Sequence, residues 1–279
     1  MKATLDWLSA SGAEFSAGTG VTGQLHLKHY SATWSEWGEG PPLVLIPGLA
    51  GGYELLGPLA RILSRDFRVI SYQLRGEEDP FALRQRFGLS ELVDDLQELL
   101  EALRLECPLL MGVSFGGLLA LEYASRNPYR ISQLVLQGVG ARYERSLVQR
   151  VAGAVLSNYP LPTDNAFVNQ FFNLLFGGRS RQNELFQFVT KQCWQTDQSV
   201  MAHRFHLVEK FNVQRRLPGI HAPTLILSGE KDILVSEKSL GALTNVLPKS
   251  EHVSLPDCGH LAFATHPHQV ADEVRRFAS

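Results

Sequence analysis

Short apolar runs punctuate the chain: LVLI at 43–46, FRVISY at 67–72, PLLMGV at 108–113, ISQLVLQ at 131–137, TLILS at 224–228 and HVSL at 252–255. Each is about strand length, and most are rich in leucine or β-branched residues. Strands covered on both faces read as continuous apolar runs, whereas half-exposed strands alternate. Helical patterns lie between the runs. In SELVDDLQELLEALRL (90–105), Leu92, Val93, Leu96, Leu99, Leu100 and Leu103 form one stripe, Ser90 is placed to cap the start, and acidic residues cover the opposite face. Alternation of this kind predicts an α/β fold, with a mostly parallel central sheet of about eight strands flanked by helices. Residues 22–37, with polar and apolar positions alternating through Gln24-Leu25-His26-Leu27-Lys28, predict a half-buried antiparallel edge hairpin.

The alternation stops after Gly140 and resumes at Thr224. Residues 141–216 show helical stretches and no convincing strand. The division that follows is a core of residues 1–140 and 217–279, with a helical lid of 141–216 inserted over the end of the sheet. The insert holds eight of the chain's fifteen Phe, among them Phe167, Phe171, Phe172, Phe176, Phe186 and Phe188. A thin helical layer cannot bury so many rings internally, so some are expected to line an apolar cavity beneath it.

The 279 residues suit one large domain with an insert, and 44% hydrophobic residues are enough for a substantial core. A net charge of −2 gives no overall electrostatic case for binding nucleic acid or a membrane surface. The N-terminal MKATLDWLSASGAEF is broken by Asp6, Ser9, Ser11 and Glu14 and lacks the apolar run of a signal peptide, and no later segment is long and apolar enough to span a bilayer. Cys107, Cys193 and Cys258 are odd in number and far apart, which reads as free thiols in a reducing compartment. The expectation is a cytoplasmic protein, monomer or homodimer, acting on a small-molecule substrate without cofactor or metal.

The strand at 108–113 runs into Gly112-Val113-Ser114-Phe115-Gly116-Gly117, and GGLLALEYASRN (116–127) reads as a helix. A serine at the tip of a strand–turn–helix requires backbone angles that a side chain normally resists. Gly112 and Gly116 stand where a Cβ would collide with the neighbouring strand or helix. The result is a hydroxyl held above the sheet at the N-terminus of a helix.

A serine hydroxyl needs a base to take its proton, and the base needs an orienting acid. After such a turn the expected order is Ser, then Asp or Glu, then His. Strand 224–228 leads into Gly229-Glu230-Lys231-Asp232, and strand 252–255 into Pro256-Asp257-Cys258-Gly259-His260. Catalytic groups gather at the carboxyl ends of strands in open α/β sheets. His260 is therefore the expected base and Asp232 the expected acid. Asp257 sits on the same short loop as His260 and is expected to shape that turn, while Glu230 is close to its strand. Oxyanion donors are expected from the N–H of Phe115 and from the loop Pro47-Gly48-Leu49-Ala50-Gly51-Gly52. Pro47 has no N–H and Gly48 lets the chain turn, which leaves Leu49 as the second donor.

Taken together, PGL at 47–49, YQLRG at 72–76, GVSFGG at 112–117, NPYRISQLVL at 127–136, SGEKD at 228–232 and DCGH at 257–260 resemble an α/β-hydrolase-fold serine hydrolase of the compact kind with one helical lid. The likeness runs from about residue 22 to the end, and GHL at 259–261 is similar to enol-lactonases and small esterases. There are departures. The family commonly has His-Gly where this chain has Pro47-Gly48, and Asp where it has Gln73. Glu77-Glu78-Asp79 replace a His-Gly-x-Ser-like stretch, and the Trp that often follows the histidine in carbon–carbon hydrolases is missing. The resemblance implies hydrolysis of a small, largely apolar carboxylic ester or lactone through an acyl-enzyme. The same parts serve carbon–carbon hydrolases of diketones, acyltransferases, peptidases and slow-turnover small-ligand receptors.

His203 and His206, three apart in the insert, could share a helix face, but no third metal ligand is in view. His266-Pro267-His268 reads as a helix-entry loop. Gly48-x-x-Gly51-Gly52 follows a strand but lacks dinucleotide spacing and a phosphate-loop lysine. Residues 141–216 carry ten Lys or Arg against five Asp or Glu. A basic insert over an acidic body would draw anions toward the insert.

Overall fold

The computed structural model describes residues 20–78, 83–142, 147–158, 166–178 and 183–279. The broken N-terminal stretch, Asp79 and five of the insert's charges (Glu144, Arg145, Asp164, Arg179 and Arg181) lie outside the described residues, as does the side chain of Phe167.

Eight strands form one sheet: β1 (Val21–His26), β2 (Ser31–Trp37), β3 (Pro42–Ile46), β4 (Arg68–Tyr72), β5 (Leu109–Val113), β6 (Gln133–Gln137), β7 (Thr224–Gly229) and β8 (Ser250–Leu255). Their order is β1-β2-β4-β3-β5-β6-β7-β8. The β1–β2 and β2–β4 pairs are antiparallel and the rest are parallel. The hairpin expected at 22–37 is β1–β2. It lies at the edge, with β1 mostly exposed.

The apolar runs that form β3 to β7 are strands covered on both faces, whereas β8, at the edge of the sheet, leaves His252 and Ser254 exposed. In β3, Val44 and Ile46 face one core with Ile70, Leu96, Leu110 and Leu119. Leu43 and Leu45 face the other, with Leu59, Val69, Met111 and Val270. Adjacent side chains point to opposite faces of a strand, so a sheet with two apolar faces needs uninterrupted apolar runs. On the first face lie α2 (Leu89–Ala102) and α3 (Phe115–Arg126). On the second lie α1 (Gly57–Leu63) and the C-terminal helix α10 (Pro267–Ala278). Pro267 opens α10, as the helix-entry reading requires. The cap of α2 differs from expectation. Gly88 is the N-cap, its N–H donating to Glu91 Oε2 at 3.1 Å, while the Ser90 hydroxyl accepts from Arg126 Nη1 at 2.9 Å. A glycine cap needs no side-chain oxygen when Glu at the third helical position reaches back.

Between β6 and β7 the described residues form four helices: α4 (Leu147–Asn158), α5 (Ala166–Leu175), α6 (Asn183–Cys193) and α7 (Gln198–Lys210). A two-residue antiparallel bridge, Arg142 against Asn212, joins the two ends of this insert. The Val213 N–H donates to the Ala141 carbonyl at 3.1 Å. Two short elements complete the chain's second half: α8 (Glu237–Thr244) and α9 (Ala262–Thr265).

Glycine sets the approach of α3 to the sheet. A Cβ on Gly112 would lie 2.5 Å from both the Gly116 carbonyl oxygen and the Gly117 Cα, and one on Gly116 would strike the carbonyls of Ile46 and Pro47. These neighbours are backbone and cannot rotate away. Gly112→Ala should therefore lose stability at or above the upper end of the ~1–3 kcal/mol typical of overpacking. Gly57, at the start of α1, has nothing within 4 Å of an added Cβ, and Gly57→Ala should gain about 0.4–1 kcal/mol by stiffening the unfolded chain. Thermal unfolding of the two variants checks the contrast.

Candidate active site

Ser114 follows β5 and caps the start of α3 with φ +49° and ψ −114°. This is a left-handed conformation rarely adopted by a residue with a side chain. Its N–H donates to the Gln137 carbonyl on β6 at 2.9 Å, and its own carbonyl receives the Gly117 N–H at 2.9 Å. The turn is thus pinned from both sides, and the hydroxyl stands clear of the sheet.

The loops after β7 and β8 deliver the other two groups. His260 Nε2 lies 2.9 Å from Ser114 Oγ, and His260 Nδ1 lies 2.8 Å from Asp232 Oδ2. Both side chains are nearly buried, at 6% and 3% exposure. Asp232 Oδ1 accepts the N–H groups of Leu234 at 2.8 Å and Val235 at 3.2 Å. Burial alone would raise the Asp232 carboxyl. The charge and N–H of His260, with the two backbone donors, outweigh it and hold the carboxyl below the usual range. The rival acids point elsewhere. Asp257 has φ +58° and pairs with Lys231 Nζ at 2.9 Å, and exposed Glu230 accepts the Asp257 N–H at 3.4 Å.

Sequence reasoning missed what seats the histidine. Gln137 Nε2 donates to the His260 carbonyl at 3.0 Å. Gly138 has φ +66°, and a Cβ there would lie 3.0 Å from His260 Cε1. Gly259 packs against the end of α5, where a Cβ would strike the Leu175 carbonyl and the Gly177 nitrogen. The Leu261 N–H donates to the same Leu175 carbonyl at 3.2 Å. Gly138, directly after β6, and Gly259, directly before the histidine, are the trace of this packing in the sequence.

The loop after β3 passes over Ser114, and a Cβ on Gly48 would lie 3.9 Å from Ser114 Cβ. Leu49 and Phe115 line the same cavity as Ser114 and His260. Neither of their N–H groups donates to another of the described residues. The cavity has a volume of about 260 Å³ and is walled largely by apolar side chains, including Phe171, Phe172, Phe205 and Phe211 of the insert. The expectation that insert phenylalanines line a cavity holds for these four. Phe176, Phe186 and Phe188 pack into the core beside α6 instead. Cys193 also lines the cavity, but burial pushes its thiol up to about 12, so it is no rival nucleophile at neutral pH.

His203 and His206 do not converge. His203 Nε2 lies 2.7 Å from the Phe87 carbonyl, and its ring meets the Phe87 ring edge-on at 4.6 Å. His206 is paired with Glu209 at 3.5 Å. Among the described residues no group of three or more His, Cys, Asp or Glu side chains is placed to hold a metal ion. Two of the insert's cations are engaged internally: Arg204 with Glu77, and Arg216 with Glu122. Cys107 is exposed and Cys258 buried, with no disulfide. Among the described residues no helix is long and apolar enough to cross a membrane.

The chain belongs to the alpha/beta hydrolase fold family, whose profile matches residues 41–267. It is 24% identical over 256 residues to a pimeloyl-[acyl-carrier protein] methyl ester esterase from Nitrosospira multiformis, spanning 86% of this chain and 95% of that protein. It is 23% identical over 246 residues to Lipase 1 of Psychrobacter immobilis, spanning 86% and 77%. Among solved structures, the enol-lactonase from Burkholderia xenovorans LB400 has the same fold, with a TM-score of 0.80 at 20% identity over 92% of this chain and 99% of that one.

The depressed Asp232 carboxyl carries a pH signature. Its folded value lies below its unfolded one, so the ionised form contributes fully above the ordinary carboxylate value near ~4 and is lost as pH falls through the lower folded value. In urea titrations from pH 5 down to 2.5, the stability advantage of the wild type over Asp232→Asn should shrink. A constant or widening gap would contradict the pairing.

Proposed function

We propose that the protein is a serine hydrolase that cleaves a small, largely apolar carboxylic ester or lactone through an acyl-enzyme. One observation carries the reading: the unbroken path Ser114 Oγ–His260–Asp232, with links of 2.9 and 2.8 Å, at an apolar cavity. His260 Nδ1–H donates to Asp232, which leaves Nε2 as the acceptor for the serine proton. As Ser114 Oγ attacks the carbonyl, His260 takes that proton. The Leu49 and Phe115 N–H groups receive the oxyanion. His260 then protonates the leaving alcohol, or the ring oxygen of a lactone. A water activated by the same imidazole adds to the acyl-enzyme and frees Ser114.

Family membership supports hydrolysis, and the ester chemistry named for two of the relatives supports an ester carbonyl. The cavity falls just under the ~300–1,000 Å³ usual for ligand pockets, which favours a small acyl group. Residues 141–216 serve in this reading as the lid, with the insert phenylalanines gripping the apolar part of the substrate.

Ser114→Ala should fold normally and lose hydrolysis of p-nitrophenyl butyrate by several orders of magnitude. Near-normal turnover by the folded variant would remove the mechanism. The acid is tested separately at neutral pH. Asp232→Asn should cost about 10³–10⁴-fold in kcat by favouring the wrong imidazole tautomer, whereas Glu230→Gln and Asp257→Asn should stay within about threefold, as befits exposed turn residues. A severe loss at Glu230 or Asp257 would move the assignment.

A further inference from the structure

A buried polar cluster ties the helical insert to the loop after β3, and no chemical step above uses it. Arg204, on α7, is 0% exposed. Its Nη1 donates to the Leu49 carbonyl at 3.0 Å and to Glu77 Oε1 at 2.6 Å, and its Nη2 donates to the Arg75 carbonyl at 3.1 Å. Thr196, just before α7, makes a second tie. Its hydroxyl donates to Glu77 Oε1 at 3.3 Å and accepts the Gly51 N–H at 3.0 Å. The guanidinium carbon also lies 5.8 Å from the centroid of the Phe115 ring. Glu77 is steadied in turn by Gln73, whose amide donates to the Glu77 carbonyl at 2.6 Å.

A buried ion pair is a poor source of stability, because well-packed apolar residues of similar size often do as well or better. Its value here lies in what it holds. The loop carries Gly48, Gly51 and Gly52, the last two at φ +87° and +55°, and has little stiffness of its own. An oxyanion donor works only when it is fixed before the charge develops. One cation and one hydroxyl from the insert grip the loop at the Leu49 carbonyl and the Gly51 N–H, flanking the turn on which the Leu49 N–H sits. The same cation packs on Phe115, whose N–H is the other donor.

We infer that Arg204, braced by Glu77 and Thr196, is a positioning residue that sets the oxyanion hole from the insert side. The inference rests on the serine-hydrolase reading. It makes the insert a working part of the site as well as its cover.

The test uses the full chain and p-nitrophenyl butyrate. Removing either charge alone leaves its partner buried and unpaired, so the informative variant is the double Arg204→Met/Glu77→Gln, with folding followed by circular dichroism and thermal unfolding. Its kcat should fall about 10–100-fold, less than the ~10²–10³ seen when an oxyanion donor is deleted outright. KM should stay within about threefold, and the pH–rate midpoint should not move, because the triad is untouched. Arg204→Lys should fall between wild type and the double variant, since an ammonium cannot reproduce the guanidinium fork. Thr196→Val removes the Gly51 tie and the hydroxyl's bond to Glu77 while leaving the Arg204–Glu77 pair in place, and should cost about 3–10-fold in kcat at unchanged KM, which keeps the test open if the double variant does not fold. Wild-type kcat in a folded double variant or in Thr196→Val would overturn the inference. So would a loss appearing in KM, or a shifted pH midpoint. Ser114→Ala is run alongside. Turnover that depends on Ser114 but ignores Arg204 and Thr196 overturns the positioning role alone. Turnover that ignores Ser114 overturns the serine-hydrolase reading and the inference with it.

Discussion

The site depends on the backbone of Ser114. A serine at φ +49° and ψ −114° is strained, at a cost of about 1–3 kcal/mol, and persists only because its surroundings permit nothing else. Gly112, Gly116 and Gly117 let strand β5, helix α3 and the loop after β3 meet at distances that no Cβ could tolerate. Hydrogen bonds to β6 and from α3 then close the turn. One unfavourable residue therefore sets the height of the hydroxyl, the direction of the helix behind it and the place where the loop after β3 must cross. His260 and Asp232 are brought to that point by the carboxyl ends of β8 and β7, which the parallel order of the sheet places side by side.

The helical insert touches the site at three kinds of contact. Phe171, Phe172, Phe205 and Phe211 wall the cavity. The end of α5 packs on Gly259 and bonds Leu261, bracketing His260. Arg204 and Thr196 bond the loop after β3 directly, at the Leu49 carbonyl and the Gly51 N–H, and share Glu77 as a partner. An insert that only covered the cavity would need the first of these and not the other two. Gln73 and Glu77 are also positions where the sequence departs from the pattern it resembles, and the structure joins them in one network.

The fold was legible because its core strands are buried on both faces: Leu43 to Ile46 must be apolar at every position, and so they are. Ser114, Asp232 and His260 were legible because each follows a strand in a short loop, and the glycines beside the serine have a steric reason that reads directly from one dimension. The cap of α2 was misplaced from Gly88 to Ser90 because glycine offers no side-chain signal and its partner Glu91 looks like any helical acid. Arg204 was invisible. A lone arginine between two histidines on a helix reads as surface, and its partner Glu77 lies 127 residues away in the chain. Buried charge pairs of high sequence separation leave no periodic trace, and only the packed structure reveals them.

The central claim is that Ser114 carries the acyl group during turnover. Quenching the protein in acid within the first turnovers on p-nitrophenyl butyrate, then digesting it and mapping the peptides by mass spectrometry, tests this directly. The account predicts a butyryl group on the peptide containing Ser114, at Ser114 itself, appearing with the first release of p-nitrophenol. It predicts further that Asp232→Asn accumulates the label more slowly at the same residue. Release of p-nitrophenol with Ser114 unmodified and the butyryl group on another side chain would contradict it.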